Sequence, residues 1–194
     1  KVVNWENHSW EIDDPYKYPT VLTDFDIHLF GEGNHYRIYE KLGAHSMSVE
    51  GKKGVLFSVW APNAKRVSVI GNFNHWDGRK HPMRTRGGSG IWELFIPDLV
   101  EGEVYKFEVK TQDDRILEKA DPYAFRTELR PKTASVVHSV GNYKWNDAKY
   151  MKKRDERNHL NDPISIYEVH LGSWKKKNGN DYLSYRELAS DLVD

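Results

Sequence analysis

The chain has 194 residues, of which 38% are apolar and 13% aromatic, and 29 basic side chains balance 29 acidic ones. This length accommodates one large domain or two small ones, and the aromatic content supplies enough apolar surface for a core. The formal net charge of zero excludes the strong uniform field of a general nucleic-acid binder. Because cysteine is absent, disulfide scaffolds, thiolate zinc sites and cysteine nucleophiles are also excluded.

Residues 1–32 are predicted to form an irregular lead-in segment, since Pro15 and Pro19 fall among aromatic residues. The N-terminus lacks the apolar stretch of a signal peptide, and no apolar run approaches the length of a membrane span. We therefore expect a cytoplasmic protein with no membrane partner. A short helix is predicted over about 34–42.

Residues 33–140 are predicted to form a β-sandwich. Between Gly54 and about Val140 apolar residues recur with a period of two, most clearly over 104–110, where Tyr105 and Phe107 share one face. This alternation is typical of half-buried antiparallel strands. Turn sequences separate the runs, so the predicted fold class is mainly β, with an immunoglobulin-like β-sandwich. Trp60 and Trp92 are assigned to its core.

Residues 141–162 are predicted to be a charged, solvated connector, and 163–194 the start of a second domain. The run 164–171 predicts a strand. Ser184 and Glu187 form a capping box that opens an amphipathic helix. A strand followed by a loop and a helix makes the first two parts of a βαβ unit, and the second strand of that unit is missing. We therefore expect the truncated beginning of a larger α/β domain.

The best chemical candidate in the sandwich is Trp76, in the polar loop 71–78 directly after a strand. An exposed indole can stack on the apolar face of a pyranose while neighbouring polar groups bind the hydroxyls. The alternative is a tryptophan that only anchors its own loop.

Other types of site are not supported. The nine histidines lack the close helical spacing of a zinc pair, and the glycine pairs do not lie between a strand and a helix, as a phosphate-binding loop requires. No nucleophile motif is present, so no metal, cofactor or catalytic residue is assigned. The basic runs 152–154 and 175–177 are interpreted as solvated faces, and no nucleic-acid partner is expected.

The string Trp60–Ala64, followed by 67–83, resembles the glycogen-binding-type module of α-amylase superfamily enzymes. Residues 121–124 agree with that module. Residues 166–174 resemble the first strand of the family's catalytic (β/α)₈ barrel, and 185–189 resemble its first helix. Together these motifs resemble the 1,4-α-glucan (glycogen) branching enzymes. The first string alone would also admit debranching enzymes and trehalose-forming hydrolases, and the string 167–174 favours branching.

The resemblance implies a retaining transfer of α-1,4-glucan segments to a sugar 6-hydroxyl, with an aspartate nucleophile and a glutamate acid/base. Neither carboxylate matches a position in this sequence, so the catalytic residues are expected downstream of Asp194. The implied partners are an α-1,4-glucan, such as glycogen or a malto-oligosaccharide, and the remainder of the barrel.

The candidate carbohydrate-binding residues are Trp76, Asn74, Lys106 and Arg115. Trp76 and Lys106 match sugar-contacting positions of the resembled module, Asn74 neighbours Trp76, and Arg115 lies in the next loop. That loop, 112–116, contains no aromatic residue, whereas the related modules have a second tryptophan there. Sugar binding at this face is therefore expected to be weak, shifted, or replaced by docking onto the barrel. The alternative is a sandwich that organises the enzyme and binds no sugar.

These expectations predict that the purified 194-residue chain has no branching activity, because it holds none of the implied catalytic carboxylates. Incubation with an α-1,4-glucan, followed by chain-length analysis after debranching, would measure this. Formation of α-1,6 linkages by the chain alone would contradict the prediction.

Overall fold

The alternating segments of the sequence form antiparallel strands. The structure, a computed structural model, describes residues 2–11, 13–141, 143–157 and 160–193. The chain divides into the units Lys1–Tyr143 and Lys144–Asp194. The strands of the first unit are β1 (Val2–Val3), β2 (Ser9–Trp10), β3 (Gly43–Val49), β4 (Lys52–Trp60), β5 (Ala64–Gly71), β6 (Arg84–Thr85), β7 (Ile91–Pro97), β8 (Val104–Thr111), β9 (Ile116–Lys119), β10 (Arg126–Thr127) and β11 (Ser135–Val136).

Two sheets pack face to face in this unit. One has the strand order β10–β11–β8–β5, with β9 also paired to β8, and the other has the order β3–β4–β7–β6. Their inner faces contribute to one buried cluster, which includes Val55, Phe57, Val69, Tyr105 and Phe107. The predicted mainly β fold with a sandwich is therefore confirmed.

Trp92 belongs to this core, but Trp60 does not. Trp60 ends β4 on the outward phase of that strand, and it is 53% exposed. Phe30 packs against its ring in a T-shaped contact, and the indole Nε1 donates to Ser89 O at 3.2 Å. The prediction of a core position was wrong because an apolar string at a strand end does not reveal which face its last residue takes.

The lead-in segment is more regular than predicted. Helix α1 (Asp24–Gly31) begins with a capping box in which the Thr23 hydroxyl accepts from Asp26 N and the Asp26 carboxylate accepts from Thr23 N. The usual signature has Glu or Gln at that position, so the aspartate version was missed. The helix predicted over about 34–42 is reduced to a single 3₁₀ turn, Ile38–Glu40, and another such turn spans Pro15–Lys17.

This segment covers the outer face of the second sheet. Tyr18 and Leu22 of the lead-in are buried with Leu56, Ile91 and Phe95 of the sheet. The central strands of the second sheet are therefore buried on both sides: Leu56 and Phe57 of β4, and Leu94 and Phe95 of β7, are all buried although neighbouring residues face opposite ways.

A buried carboxylate fastens the lead-in to β7. Glu93 is 1% exposed, and its Oε2 accepts from Leu22 N at 3.1 Å and from Val21 N at 3.3 Å. Arg86 Nε lies 3.3 Å from Glu93 Oε1, and the same guanidinium donates to Thr20 Oγ1 and to Leu22 O. Burial raises the pKa of Glu93, and the two amide donors and Arg86 oppose that rise.

The second unit contains α2 (Ala148–Asp155), α3 (Leu171–Trp174), β12 (Lys176–Lys177), β13 (Asp181–Tyr182) and α4 (Tyr185–Val193). The predicted capping box is confirmed: Glu187 Oε2 accepts from Ser184 N at 2.8 Å. Helix α2 lies in the predicted connector, of which Asn142, Asn158 and His159 are outside the described residues. Among the described residues, no helix is long and apolar enough to cross a membrane.

The strand predicted over 164–171 is not formed. Residues 163–170 have no regular secondary structure, and α3 begins at Leu171. An isolated strand gains no ladder hydrogen bonds, and this segment has no neighbouring strand with which to pair in the described residues.

We expect Glu93→Ala to lower the free energy of unfolding of the first unit by about 3–5 kcal/mol, because it leaves Arg86 and two amide donors buried without their acceptor. Urea unfolding followed by far-UV circular dichroism would measure this. Glu50→Ala, at an exposed position in the β3–β4 turn, is the matched control and should change stability by about 0.5 kcal/mol or less. Equal effects of the two variants would contradict the anchoring role of Glu93.

Candidate functional site: an indole beside a charged sheet face

The loop that follows β5 is held from the inside by Asn74. This side chain is 1% exposed. Its Nδ2 donates to Val69 O at 2.9 Å and lies 2.9 Å from His81 Nδ1, and its Oδ1 accepts from Gly71 N at 3.0 Å. Because Asn74 is buried and both ends of its amide have partners, its role in the structure is to shape the loop. This burial argues against the predicted contact of Asn74 with sugar.

Trp76 is the residue that this loop presents. His75 and Trp76 both adopt left-handed backbone conformations, with φ of +60° and +59°, which turn the chain back so that Trp76 N donates to Gly71 O at 2.9 Å. The indole Nε1 donates to Asn72 Oδ1 at 2.9 Å. The side chain is half-buried, so the ring is fixed in orientation but still reaches the surface.

Lys106 lies next to the base of this loop. It pairs with Ile70 across the β5–β8 ladder, one residue from the Gly71–Tyr105 pair. Tyr105 and Phe107 point into the core, so Lys106 takes the outer face, as the alternation predicted. Its side chain is 20% exposed, and its Nζ lies 3.5 Å from Glu118 Oε2 on β9. The structure thus brings Trp76 and Lys106 to the same end of the sheet.

Arg115 lies at the other end of the same sheet. It follows the β8–β9 turn, where Thr111 N donates to Arg115 O, and its guanidinium Nε donates to Asp113 at 2.6 Å. Lys106 and Thr111 are five residues apart on β8, a separation of roughly 17 Å at the rise of a strand. Arg115 and Trp76 therefore do not share one contact site.

Ion pairs neutralise most charges between these two ends. Arg66 pairs with Glu108, and Gly78 of the Trp76 loop lies so close to the Glu108 carboxylate that a Cβ at position 78 would overlap it. Lys110 and Lys65 hold the pKa of Asp114 down at about 2. The outer face is thus a set of paired charges beside one aromatic ring.

Three residues important to this region were missed by sequence reasoning: Asn72, which holds the indole, His81, which supports Asn74, and Glu118, which pairs with Lys106. Asn72 and His81 act only through the folded loop. Glu118 could have been found by aligning 104–110 with 116–119 as a hairpin, because that register places it on the outer face.

No group of three or more His, Asp or Glu side chains placed to hold a metal ion occurs in the described part of the chain.

The Asn74–His81 contact predicts a pH dependence of stability. Asn74 Nδ2 is a donor, so His81 Nδ1 accepts and the ring is neutral. Burial lowers the pKa of His81 below its ordinary value of 6.5, and the charge of Lys80 lowers it further. The contribution of His81 is therefore present above about pH 6.5 and is lost as the pH falls below that value.

We expect the wild type to lose more unfolding free energy between pH 7.5 and 5.5 than His81→Asn does, because the asparagine oxygen accepts the same bond and does not titrate. Urea unfolding of both proteins at the two pH values measures the difference. Identical losses would show that His81 does not titrate with folding.

Comparison with known proteins finds a family and several enzymes that this chain is similar to. Residues 41–124 match the family model of carbohydrate-binding module 48 (isoamylase N-terminal domain). The chain is 53% identical, over 97% of its length, to the 1,4-alpha-glucan branching enzyme GlgB of Thermosynechococcus vestitus, of which it covers 28%. It is 56% identical, over 94% of its length, to the enzyme of the same name from Gloeobacter violaceus, of which it covers 25%.

A pullulanase from Anoxybacillus sp. LM18-11, in complex with maltotriose, aligns with a TM-score of 0.41 at 28% identity, covering 50% of this chain and 13% of that one. The chain spans about a quarter of the length of the curated relatives that it matches. The chain is therefore similar to carbohydrate-binding module 48 over residues 41–124, and almost its whole length is similar to part of the 1,4-alpha-glucan branching enzymes.

Proposed function

We propose that the sandwich binds an α-1,4-glucan at the outer face of the β5–β8–β9 sheet beside Trp76, called the Trp76 face below. In this role it serves a 1,4-α-glucan branching enzyme as its glucan-binding module. The observation that carries this proposal is the half-buried indole of Trp76, fixed by the Nε1 bond to Asn72 and placed at the Lys106 end of β8. The glucan class covers glycogen, starch-like polysaccharide and malto-oligosaccharides.

The chemistry of the site fits a neutral polysaccharide. A ring that is already oriented loses little conformational entropy when a pyranose stacks on it. Lys106 can donate to sugar hydroxyls through its ammonium, and the ion pairs around it leave no uniform field that would favour a charged ligand. With one aromatic platform rather than two, we expect weak binding.

Branching is favoured over debranching and trehalose formation by the relatives. Those named above are branching enzymes that share 53–56% identity with almost the whole chain. The activity, which transfers α-1,4-glucan segments to form α-1,6 branches, is proposed for the protein of which this sequence would be a part.

The second proposed partner is the remainder of a catalytic barrel, which would pack on the unit Lys144–Asp194. In support, Ile164, Ile166 and Tyr185 are strongly exposed there, although a barrel strand and helix bury such residues. The proposal includes the cytoplasmic location expected from the sequence, which fractionation of cells that express the tagged protein would test.

An NMR titration of the ¹⁵N-labelled chain with maltoheptaose tests the glucan site directly. We expect the Trp76 indole N–H signal, identified by its loss in Trp76→Ala, to shift on titration. In Trp76→Ala we expect the apparent affinity to fall about tenfold, since losing an aromatic contact costs up to about 1.5 kcal/mol beyond its buried area and about 1.4 kcal/mol is tenfold in affinity.

Trp60→Ala is the matched control, because Trp60 is a partly exposed tryptophan on the other sheet, and it should bind like the wild type. If the wild type shows no shifts at all, the sandwich has an organising role and the binding proposal fails. If Trp76→Ala binds normally, the glucan lies elsewhere on the module.

A further inference from the structure

The carboxylates on and around the Trp76 face differ in how tightly they are paired. Four are engaged at short range by basic side chains: Asp77 with Arg79, Glu108 with Arg66, Asp113 with Arg115, and Asp114 with Lys65 and Lys110. Glu118 differs from them. Its one ion pair among the described residues is with Lys106 at 3.5 Å, and its side chain is 53% exposed.

The Lys106 ammonium also has hydrogen-bond donors that are not engaged by its ion pair. An ammonium has three donors, and charge-assisted N–H···O bonds are usually about 2.7–2.9 Å long. The 3.5 Å contact with Glu118 is an ion pair without such a bond, and it is the one polar contact of the Lys106 side chain in the described part of the chain. Both groups therefore keep hydrogen-bonding capacity.

The strand order places this pair beside the indole. Strand β9 lies along the edge of β8 opposite β5, and Glu118 pairs with Glu108. Lys106 pairs with Ile70, which precedes Gly71 in the chain. The Gly71 carbonyl accepts a hydrogen bond from Trp76 N. Lys106 therefore lies on β8 between the base of the Trp76 loop, on the β5 side, and Glu118, on the β9 side.

We propose that Glu118 is a sugar-contacting residue of this site, which accepts a hydrogen bond from one hydroxyl of the bound glucan while Lys106 donates to a neighbouring hydroxyl. The inference rests on the proposed glucan-binding function. A hydroxyl both donates and accepts, so a carboxylate beside an ammonium matches two adjacent hydroxyls of one pyranose. Sequence reasoning assigned Arg115 instead, whose guanidinium is engaged with Asp113.

This pair would compensate for the missing second ring. Hydrogen bonds in which one partner is charged are among the strongest in proteins, and the pair offers one donor group and one acceptor group to the sugar. Binding would then depend on one stacked sugar and one pair of hydroxyls, rather than on two platforms.

A double-mutant cycle over Lys106 and Glu118 in the 194-residue chain, with maltoheptaose titrations followed by NMR, tests the inference. We expect Glu118→Ala to raise the dissociation constant about tenfold. Glu118→Gln, which keeps an acceptor oxygen, should recover part of that loss. In the Lys106→Ala background Glu118→Ala should still weaken binding several-fold, because a direct contact does not act through Lys106.

Asp114→Ala is the control, since it removes a carboxylate from the hairpin end of the same face and should leave affinity unchanged. An effect of Glu118→Ala below about twofold, or one that disappears in the Lys106→Ala background, would overturn the contact. Those results are distinguishable from failure of the glucan site itself, in which the wild type would not bind or Trp76→Ala would have no effect.

Discussion

The amide of Asn74 is the constraint on which the binding face depends. It joins Val69 on β5, Gly71 at the strand end and His81 on the return of the loop, so one buried side chain fixes both ends of the turn that carries Trp76. A buried amide with lost partners is costly, which makes this arrangement cooperative. The indole is then oriented before any ligand arrives, because its backbone and its Nε1 are both held within the same loop.

A second buried polar group distinguishes the two outer faces of the sandwich. Glu93 and Arg86 hold the lead-in against β7, and that segment buries the outer face of its sheet under Tyr18 and Leu22. The β5–β8–β9 face carries paired charges instead, and the Trp76 loop lies over it at Glu108. The two sides of the sandwich are thus differentiated: one is anchored to its own chain, and the other presents side chains to the surface.

The sequence predicted the strands because alternation reports burial directly, as in 104–110, where each alternate residue is in the core. It also placed Trp76 and Lys106 correctly relative to their strands. It failed where a residue type suggested the wrong environment: Asn74 is polar but buried, and Trp60 is apolar but exposed. The strand over 164–171 failed for a different reason, since a pattern of apolar residues forms a strand only when a neighbour supplies the ladder.

The loop 112–116 contains no aromatic residue, so the proposed site has Trp76 as its stacking platform. Two rings would select a glucan by its curvature, because both must meet stacked sugars at once. One ring beside the Lys106–Glu118 pair would instead select a single pyranose by the spacing of its hydroxyls. Such a site would tolerate any direction of the rest of the glucan chain beyond that sugar. Such a site would hold a growing, branched polymer at many positions along its chains, which suits a module that accompanies an enzyme acting on chain segments.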